Sequence, residues 1–387
     1  MIYLDYNATT PIDPLVLEAM EPYLKEAFGN ASSRSHSLGW RAQMAVDRSR
    51  RQVAQSIGAK PSEIIFTSGA TESNNMAILG AFWAQQERLS GQRPHIITAS
   101  AEHKAVLEVC LQAQKWGAEL SLLPVNRFGQ VEVDEVARHI QPQTILISIM
   151  AANNEIGSLN PIAEIGQLAK DRGVWFHTDA AQAAGKIPLD VQGMNIDLLS
   201  ISGHKIYGPK GVGALYMRSE APRVELQPLF FGGSQERGLR PGTLNVPGIV
   251  GLGRALELAE ELREAEELRF RDYAQELIEN LRHESKEIVL NGHPEQRLAG
   301  NISLSFPGLN SELFALGLSG LALSSSSACT SESASPSHVL KAIGLSDELA
   351  RATLRIGLGR PTSRQDMAVA TQKLLDLIRK NKEISAH

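Results

Sequence analysis

Between residues 62 and 217 seven short β-rich runs alternate with stretches of helical periodicity: Ile64–Thr67, His95–Thr98, Leu120–Val125, Thr144–Ile149, Val174–His177, Asp197–Ile201 and Val212–Met217. Strands separated by helix-length segments cannot pair as tight hairpins, so the rhythm predicts an α/β domain with a largely parallel sheet. Residues 103–116 place Val106, Val109, Cys110 and Ala113 at helical spacing, and 162–171 do the same with Ile162, Ile165, Leu168 and Ala169. Cys110 is therefore expected in the core.

From Gly248 a charged amphipathic pattern (Leu252, Ala255, Leu256, Leu258, Ala259, Leu262) runs towards Leu281, the signature of a helix that bridges two domains. Beyond it, strand candidates Ile288–Leu290, Ile302–Phe306 and Thr353–Ile356 and helices over 311–319 and 364–380 predict a smaller α+β domain. Ser324 to Ser337 holds eight serines in fourteen residues, through which no buried face can be drawn, so an exposed loop is expected.

Composition narrows the function classes. No run of about 18 apolar residues exists to span a bilayer, and the opening Met1-Ile-Tyr-Leu-Asp-Tyr-Asn7 has no basic stretch followed by an apolar one, so no membrane association and a cytoplasmic location are expected. A net charge of -5 argues against a nucleic-acid partner. The Arg34, Arg41, Arg48, Arg50 and Arg51 group reads as a solvated helix face. Two cysteines, Cys110 and Cys329, are too few for a four-cysteine metal site, and no metal is expected.

Chemistry concentrates where strands end. In Asp197-Leu-Leu-Ser-Ile-Ser-Gly-His-Lys205, a β-run closes on one lysine, and a partly desolvated lysine there becomes a nucleophilic amine able to form a Schiff base. Gly203 and Gly208 have the spacing of a phosphate loop, but Pro209 stands where its lysine belongs. Asp179 closes another buried run, where it is either a helix cap or the partner of a protonated pyridine nitrogen. Ala70 and Thr71 open a helix after a strand, a place for a phosphate or simply a cap. His103 lies at a strand-to-helix passage, and Asn154 follows another strand; each has a structural alternative of comparable weight.

These segments, in this order, resemble the cysteine desulfurases of the class-V aminotransferase (fold-type I) superfamily, the branch serving iron-sulfur cluster assembly. The matching stretches are Tyr3 to Pro11, Thr67 to Ser73, Glu102-His-Lys104, Asn153 to Gly157, Asp179 to Gln182, Ser202 to Gly211, Arg240 to Leu244, Ser327 to Ser331 and Leu354 to Arg360. The resemblance implies a fold-type I transferase dependent on pyridoxal 5'-phosphate, with a mainly parallel seven-stranded sheet in a large domain (14–256) and a smaller α+β domain (1–13 and 257–387) carrying the loop of Cys329. It implies that Lys205 carries the cofactor, His103 stacks on its ring, Asp179 pairs with its nitrogen and Gln182 meets its phenolic oxygen. Ala70, Thr71, Ser202 and His204 would bind the phosphate. Thr243 would reach the phosphate of a neighbouring subunit, making the active unit a homodimer, and Asn154 and Arg355 would hold the carboxylate of the substrate.

Fold and cofactor do not name the reaction in such a superfamily, but Cys329 does. It stands in Ser-Ser-Ser-Ser-Ala-Cys-Thr-Ser-Glu-Ser, where a structural cysteine would have apolar neighbours. A reactive thiol there implies sulfur transfer from L-cysteine to Cys329, release of alanine, and delivery to an acceptor or iron-sulfur scaffold protein, with His103 a candidate proton acceptor. The rivals are a selenocysteine lyase or a cystathionine- or cystine-cleaving relative that shares Lys205 without depending on Cys329, and a cofactor-bound scaffold without catalysis. A nicotinamide dehydrogenase is discounted because no Gly-x-Gly-x-x-Gly closes a first strand.

Overall fold

The computed structural model describes residues 1–86, 88–89, 91–221, 223–309, 318–325 and 336–385. Seven strands form one sheet: β2 (Ile64–Thr67), β3 (His95–Ala99), β4 (Glu119–Leu123), β5 (Thr144–Ser148), β6 (Trp175–Asp179), β7 (Leu198–Ser202) and β8 (Gly213–Met217). They lie in the order β2-β8-β7-β6-β5-β3-β4. Only β8 runs against its neighbours. The other pairings are parallel, so the sheet is mainly parallel, as the sequence pattern predicts.

The crossover segments explain the strands' composition. Helices α3 (Ala70–Gln86), α4 (Lys104–Lys115) and α6 (Ile162–Arg172) follow β2, β3 and β5. With both faces covered, every residue of β2, β3, β5, β6, β7 and β8 is buried, while β4 at the edge is only half-buried. Strand β4 ends at Leu123 rather than Val125 because Pro124 has no amide to continue the ladder. Cys110 is 1% exposed among Val106, Val109 and Phe82, a core residue.

Ahead of the sheet lie β1 (Ile2–Tyr3), α1 (Pro14–Lys25) and α2 (Ser37–Gln55). The arginine group on and before α2 is not wholly a solvated face. The Arg50 side chain is only 19% exposed and donates through Nη2 to Glu236 Oε1 at 2.6 Å, whose carboxylate would otherwise be buried unpaired.

Helix α7 (Val246–Glu284) spans 39 residues and serves two apolar cores. Val246, Ile249, Leu252 and Leu256 pack with the sheet. Phe270, Leu277 and Leu281 pack with Leu4, Ile302, Leu354 and Leu374. The second core lies against a four-stranded sheet ordered β12-β13-β10-β9, made by β9 (Val289–Leu290), β10 (Asn301–Ser305), β12 (Ser324–Ser325) and β13 (Thr353–Gly357). The C-terminal helix (Arg364–Ser385) covers it.

One expectation changes here. The serine-rich segment does not begin as loop: Ser324 and Ser325 pair antiparallel with Arg355 and Leu354, because a strand can be anchored by its backbone and by the Ser324 hydroxyl without an apolar face. Its end is also tied, since Ser337 caps the next helix (His338–Ala342) and donates to Glu155 Oε2 at 2.5 Å. Cys329 lies outside the described residues, as does most of the helix expected over 311–319. No helix among the described residues is long and apolar enough to cross a membrane, and none of their His, Cys, Asp and Glu side chains form a group of three or more that could hold a metal.

Candidate active site

Because β8 is antiparallel to both β2 and β7, those two run the same way, and the carboxyl ends of β2, β3, β5, β6 and β7 open onto one edge of the sheet. Ligands in open α/β sheets collect at this edge. A cavity of about 630 Å³ lies there, and ten of the residues singled out from sequence line it: Ala70, Thr71, His103, Asn154, Asp179, Gln182, Ser202, His204, Lys205 and Arg355. Thr243 is not among them. It is exposed and lines a separate surface depression with Glu72, Phe231 and Arg240.

Strand β7 ends at Ser202 and turns through Gly203–Lys205. The turn aims Lys205 Nζ at the carbonyls of Asn7 and Ala8, donating to each at 2.7 Å. Burial, then the Arg355 guanidinium, pushes its pKa down to about 8, against the pull of Asp179 and Asp5. The amine is thus far closer to its neutral, nucleophilic form at neutral pH than an exposed lysine.

Asp179 ends β6 and lines the cavity. Its Oδ1 accepts from the Ala181 amide at 2.8 Å in the turn that follows, and its Oδ2 accepts from Asn74 Nδ2 at 2.7 Å. Asn74 was not foreseen. It is fully buried on α3 among Met76, Ala77 and Ile78, where a polar side chain needs a partner.

His103 likewise does two things. Its Nδ1 accepts from the Ala105 amide at 3.1 Å, capping α4, which leaves the proton on Nε2. The ring is exposed on its cavity side, yet protein crowds the remainder. Desolvation lowers its pKa, Lys205 and His338 reinforce this, and Asp179 and Glu155 oppose it. A neutral imidazole can accept a proton at neutral pH.

The start of α3 faces the same space. Gly69 holds φ at +149°, and the Glu72 carboxylate accepts from the Ser68 amide at 2.8 Å. The first-turn amides of Ala70 and Thr71 are left for an anion. Gly213 permits the approach of this turn to the sheet, since a Cβ there would lie 2.6 Å from Gly69 Cα. His204 stands nearby, its Nδ1 3.1 Å from Thr9 Oγ1, its pKa pushed down to about 4 by burial and then by Lys205 and Lys210.

Across the cavity, β13 presents Arg355. Its Nη2 donates to Asp5 Oδ1 and Ser324 Oγ, each at 2.8 Å, and its Nη1 to the Asn154 carbonyl at 3.1 Å. The buried polar atoms without a hydrogen-bond partner among the described residues include Asn7 Nδ2, Asn74 Oδ1, Asn154 Oδ1 and Arg355 Nε. Asn7, Asn154 and Arg355 line the cavity. Orphaned polar atoms beside an activated lysine, a buried carboxylate and a helix N-terminus suit a polar ligand that carries both an anionic group and a ring nitrogen.

The fold and cavity define an enzyme class built around an activated lysine at the carboxyl edge of a parallel sheet. The chain belongs to the aminotransferase class-V family, whose family model matches residues 2–369. It is 48% identical over 384 residues to the cysteine desulfurase of Mus musculus, covering 99% of this chain and 83% of the mouse protein. It is also 48% identical to cysteine desulfurase IscS of Rickettsia felis, covering 99% of this chain and 92% of that one. Among solved structures, a NifS-like protein superposes with a TM-score of 0.89 at 34% identity, covering 98% of this chain and 99% of the other. A structure of SspA in complex with cysteine gives 0.81 at 40% identity, covering 92% and 99%.

Proposed function

We propose that this protein is a pyridoxal-phosphate-dependent cysteine desulfurase: it converts L-cysteine to L-alanine and retains the sulfur on Cys329 as a persulfide for iron-sulfur cluster or thio-cofactor synthesis. The observation that carries this reading is the convergence of Lys205, Asp179, His103 and Arg355 on one cavity. The likeness to cysteine desulfurases over nearly the whole chain supports the choice of reaction.

The residues fit the cofactor. Lys205 would hold it covalently, Asp179 its ring nitrogen, Gln182 its phenolic oxygen, and Ala70, Thr71, Ser202 and His204 its phosphate. Bound there, it supplies an electron sink for the pair left behind when a proton leaves the substrate α-carbon. Arg355 and Asn154 orient the carboxylate of cysteine, which fixes the α-carbon relative to Lys205. Displaced by the amine of cysteine, the Lys205 amine, neutral in an appreciable fraction, then removes the α-proton. His103, with its proton on Nε2 and Nδ1 held in a cap bond, takes up the thiol proton once that cap bond gives way.

Cys329 thiolate attacks the substrate sulfur. The new S–S bond forms as the Cβ–S bond breaks, the electron pair stays with the carbon fragment, and two protons returned to that fragment complete alanine. One cysteine and one thiol thereby give one alanine and one persulfide. The acceptor is a sulfur-carrier or scaffold protein. Thr243, exposed and outside the lining of the Lys205 cavity, is placed in this reading to serve the cavity of a second copy, so the active unit is a homodimer. The division into 14–256 and 1–13 with 257–387 belongs to the same proposal, supported by the apolar core that Leu4 shares with Phe270 and Leu374. A cytoplasmic location belongs to it as well.

Single-turnover transfer from radiosulfur-labelled L-cysteine tests the reading, wild type beside Cys329→Ala, with alanine quantified. Label released by dithiothreitol from the wild type alone, with equimolar alanine, is the expected result. Equal alanine formation by the variant would transfer the assignment to a lyase that does not need Cys329.

A further inference from the structure

Lys186 has no part in the reaction above, yet it is wired to the residues that do. Its Nζ donates to Gln182 Oε1 at 3.0 Å. Gln182 Nε2 donates to the Asn7 carbonyl at 2.9 Å, and that carbonyl also accepts from Lys205 Nζ at 2.7 Å. One hydrogen-bonded path therefore joins Lys186 to Lys205. Lys186 lines a second, smaller cavity of about 70 Å³ behind the first, with Arg263, Glu266 and Arg297, and Lys205 and Asn7 form the wall between the two.

The polarity of this path is fixed. A backbone carbonyl only accepts, so Gln182 must turn Nε2 towards Asn7. Its Oε1 then faces the opposite way and needs a donor, which Lys186 provides. The amide nitrogen has two protons, and Asn7 uses one. Gln182 also lines the Lys205 cavity, so the second is free to face it. Part of the Lys186 side chain borders the small cavity, but protein surrounds the amine. Burial pushes its pKa down to about 7, with Lys205 and Arg355 adding to the effect and Glu266 opposing it. The cations Arg263 and Arg297 border the same cavity. A buried amine among so many cations is costly, and among the described residues its one polar contact is with Gln182.

We infer that Lys186 is a positioning residue that locks the Gln182 amide so that its second Nε2 proton is presented to the phenolic oxygen of the cofactor on Lys205. The inference rests on the cofactor reading given above. A hydrogen-bond donor at that oxygen draws electron density from the ring, so the nitrogen joining the cofactor to Lys205 releases its proton at lower pH. Without Lys186 the amide is free to rotate, the donor is lost for part of the time, and the proton is held to higher pH.

The test is a pH titration of the visible absorption of the full chain reconstituted with pyridoxal phosphate. Lys186→Met is expected to raise the midpoint by about one pH unit, of the size usual for a hydrogen bond to one protonation state. Lys186→Arg, which keeps a donor, restores it. In a Gln182→Leu background, Lys186→Met should add nothing, because both changes remove the same interaction. An unchanged midpoint in Lys186→Met overturns the inference. So does a shift that persists without Gln182, which would mean that Lys186 acts by charge alone. A wild-type chain that acquires no visible band, and no borohydride-fixed cofactor on Lys205, overturns the cofactor reading itself and the inference with it.

Discussion

Asp5 Oδ1 receives Arg355 Nη2 at 2.8 Å, an ion pair between residues 350 positions apart that ties the first strand segment to the wall of the Lys205 cavity. The Ser324 hydroxyl joins them, donating to Asp5 Oδ1 at 2.8 Å. The guanidinium is therefore oriented before any substrate arrives, with Nε still to be satisfied.

This arrangement predicts a difference between two conservative substitutions. Arg355→Lys removes the planar fork that meets a carboxylate with paired bonds, and should raise KM for cysteine on the order of tenfold or more, for a loss of about 1.5–3 kcal/mol. Asp5→Asn keeps an acceptor for Nη2 and should raise KM by only about threefold at most, as expected of a neutral bond replacing a charged one. Steady-state kinetics of both variants decide it, and a larger effect from Asp5→Asn would mean that Asp5 itself meets the substrate.

The depressed pKa of Lys205 sets the pH at which the cofactor can be taken up. Only the neutral amine attacks an aldehyde, so capture should rise with pH through a midpoint near 8. An ordinary lysine, neutral to only about 1 part in 300 at that pH, would show a midpoint at about pH 10.4 and no plateau below about pH 11. Stopped-flow absorption during reconstitution gives the profile. A midpoint near the ordinary lysine value would show that burial does not act on this amine as described.

The two cysteines should differ sharply towards alkylating reagents. Cys110 is buried, and burial followed by the nearby Glu102 carboxyl pushes its thiol far above the usual range, so almost no thiolate exists to react. Native protein is expected to incorporate one iodoacetamide per chain, on Cys329, with Cys110 labelled only after denaturation. Mass spectrometry of digested native and unfolded protein distinguishes the sites. Label on native Cys110 would count against the burial, and no label on Cys329 against the accessible thiol.

How much of this could be read from the chain depends on sequence distance. Strands with both faces covered are runs of apolar residues, and all seven were visible, although in six of them one or both ends lie one or two residues from where the pattern put them. Lys205, Asp179 and His103 were legible because each ends a strand or begins a helix, and that alone brings them to one sheet edge. Their partners were not. Asn74 stands in the polar run Thr71-Glu-Ser-Asn-Asn75, and nothing local says that it turns to Asp179. Asp5, Asn7 and Lys186 acquire their roles only when distant segments meet, and periodicity carries no information about such meetings.

Arg50 and Glu236 are the plainest case and yield the last prediction. Glu236 sits in a left-handed conformation at φ +46°, and its side chain is only 2% exposed. Besides Arg50 it accepts from the Phe66 amide at 2.8 Å, so it braces the middle of β2, the strand that leads into the Ala70 turn. Removing the arginine alone strands a buried carboxylate. Arg50→Met should destabilise the fold by about 3–5 kcal/mol, whereas Arg50→Met with Glu236→Gln should recover much of the loss because no charge is left unpaired. The two effects separate a buried charge from a simple loss of contacts, which the second substitution would only deepen. Urea unfolding midpoints of the two variants and the wild type measure it. If the double variant is the less stable of the two, the pair is held by packing rather than by charge, and the bracing of β2 needs another cause.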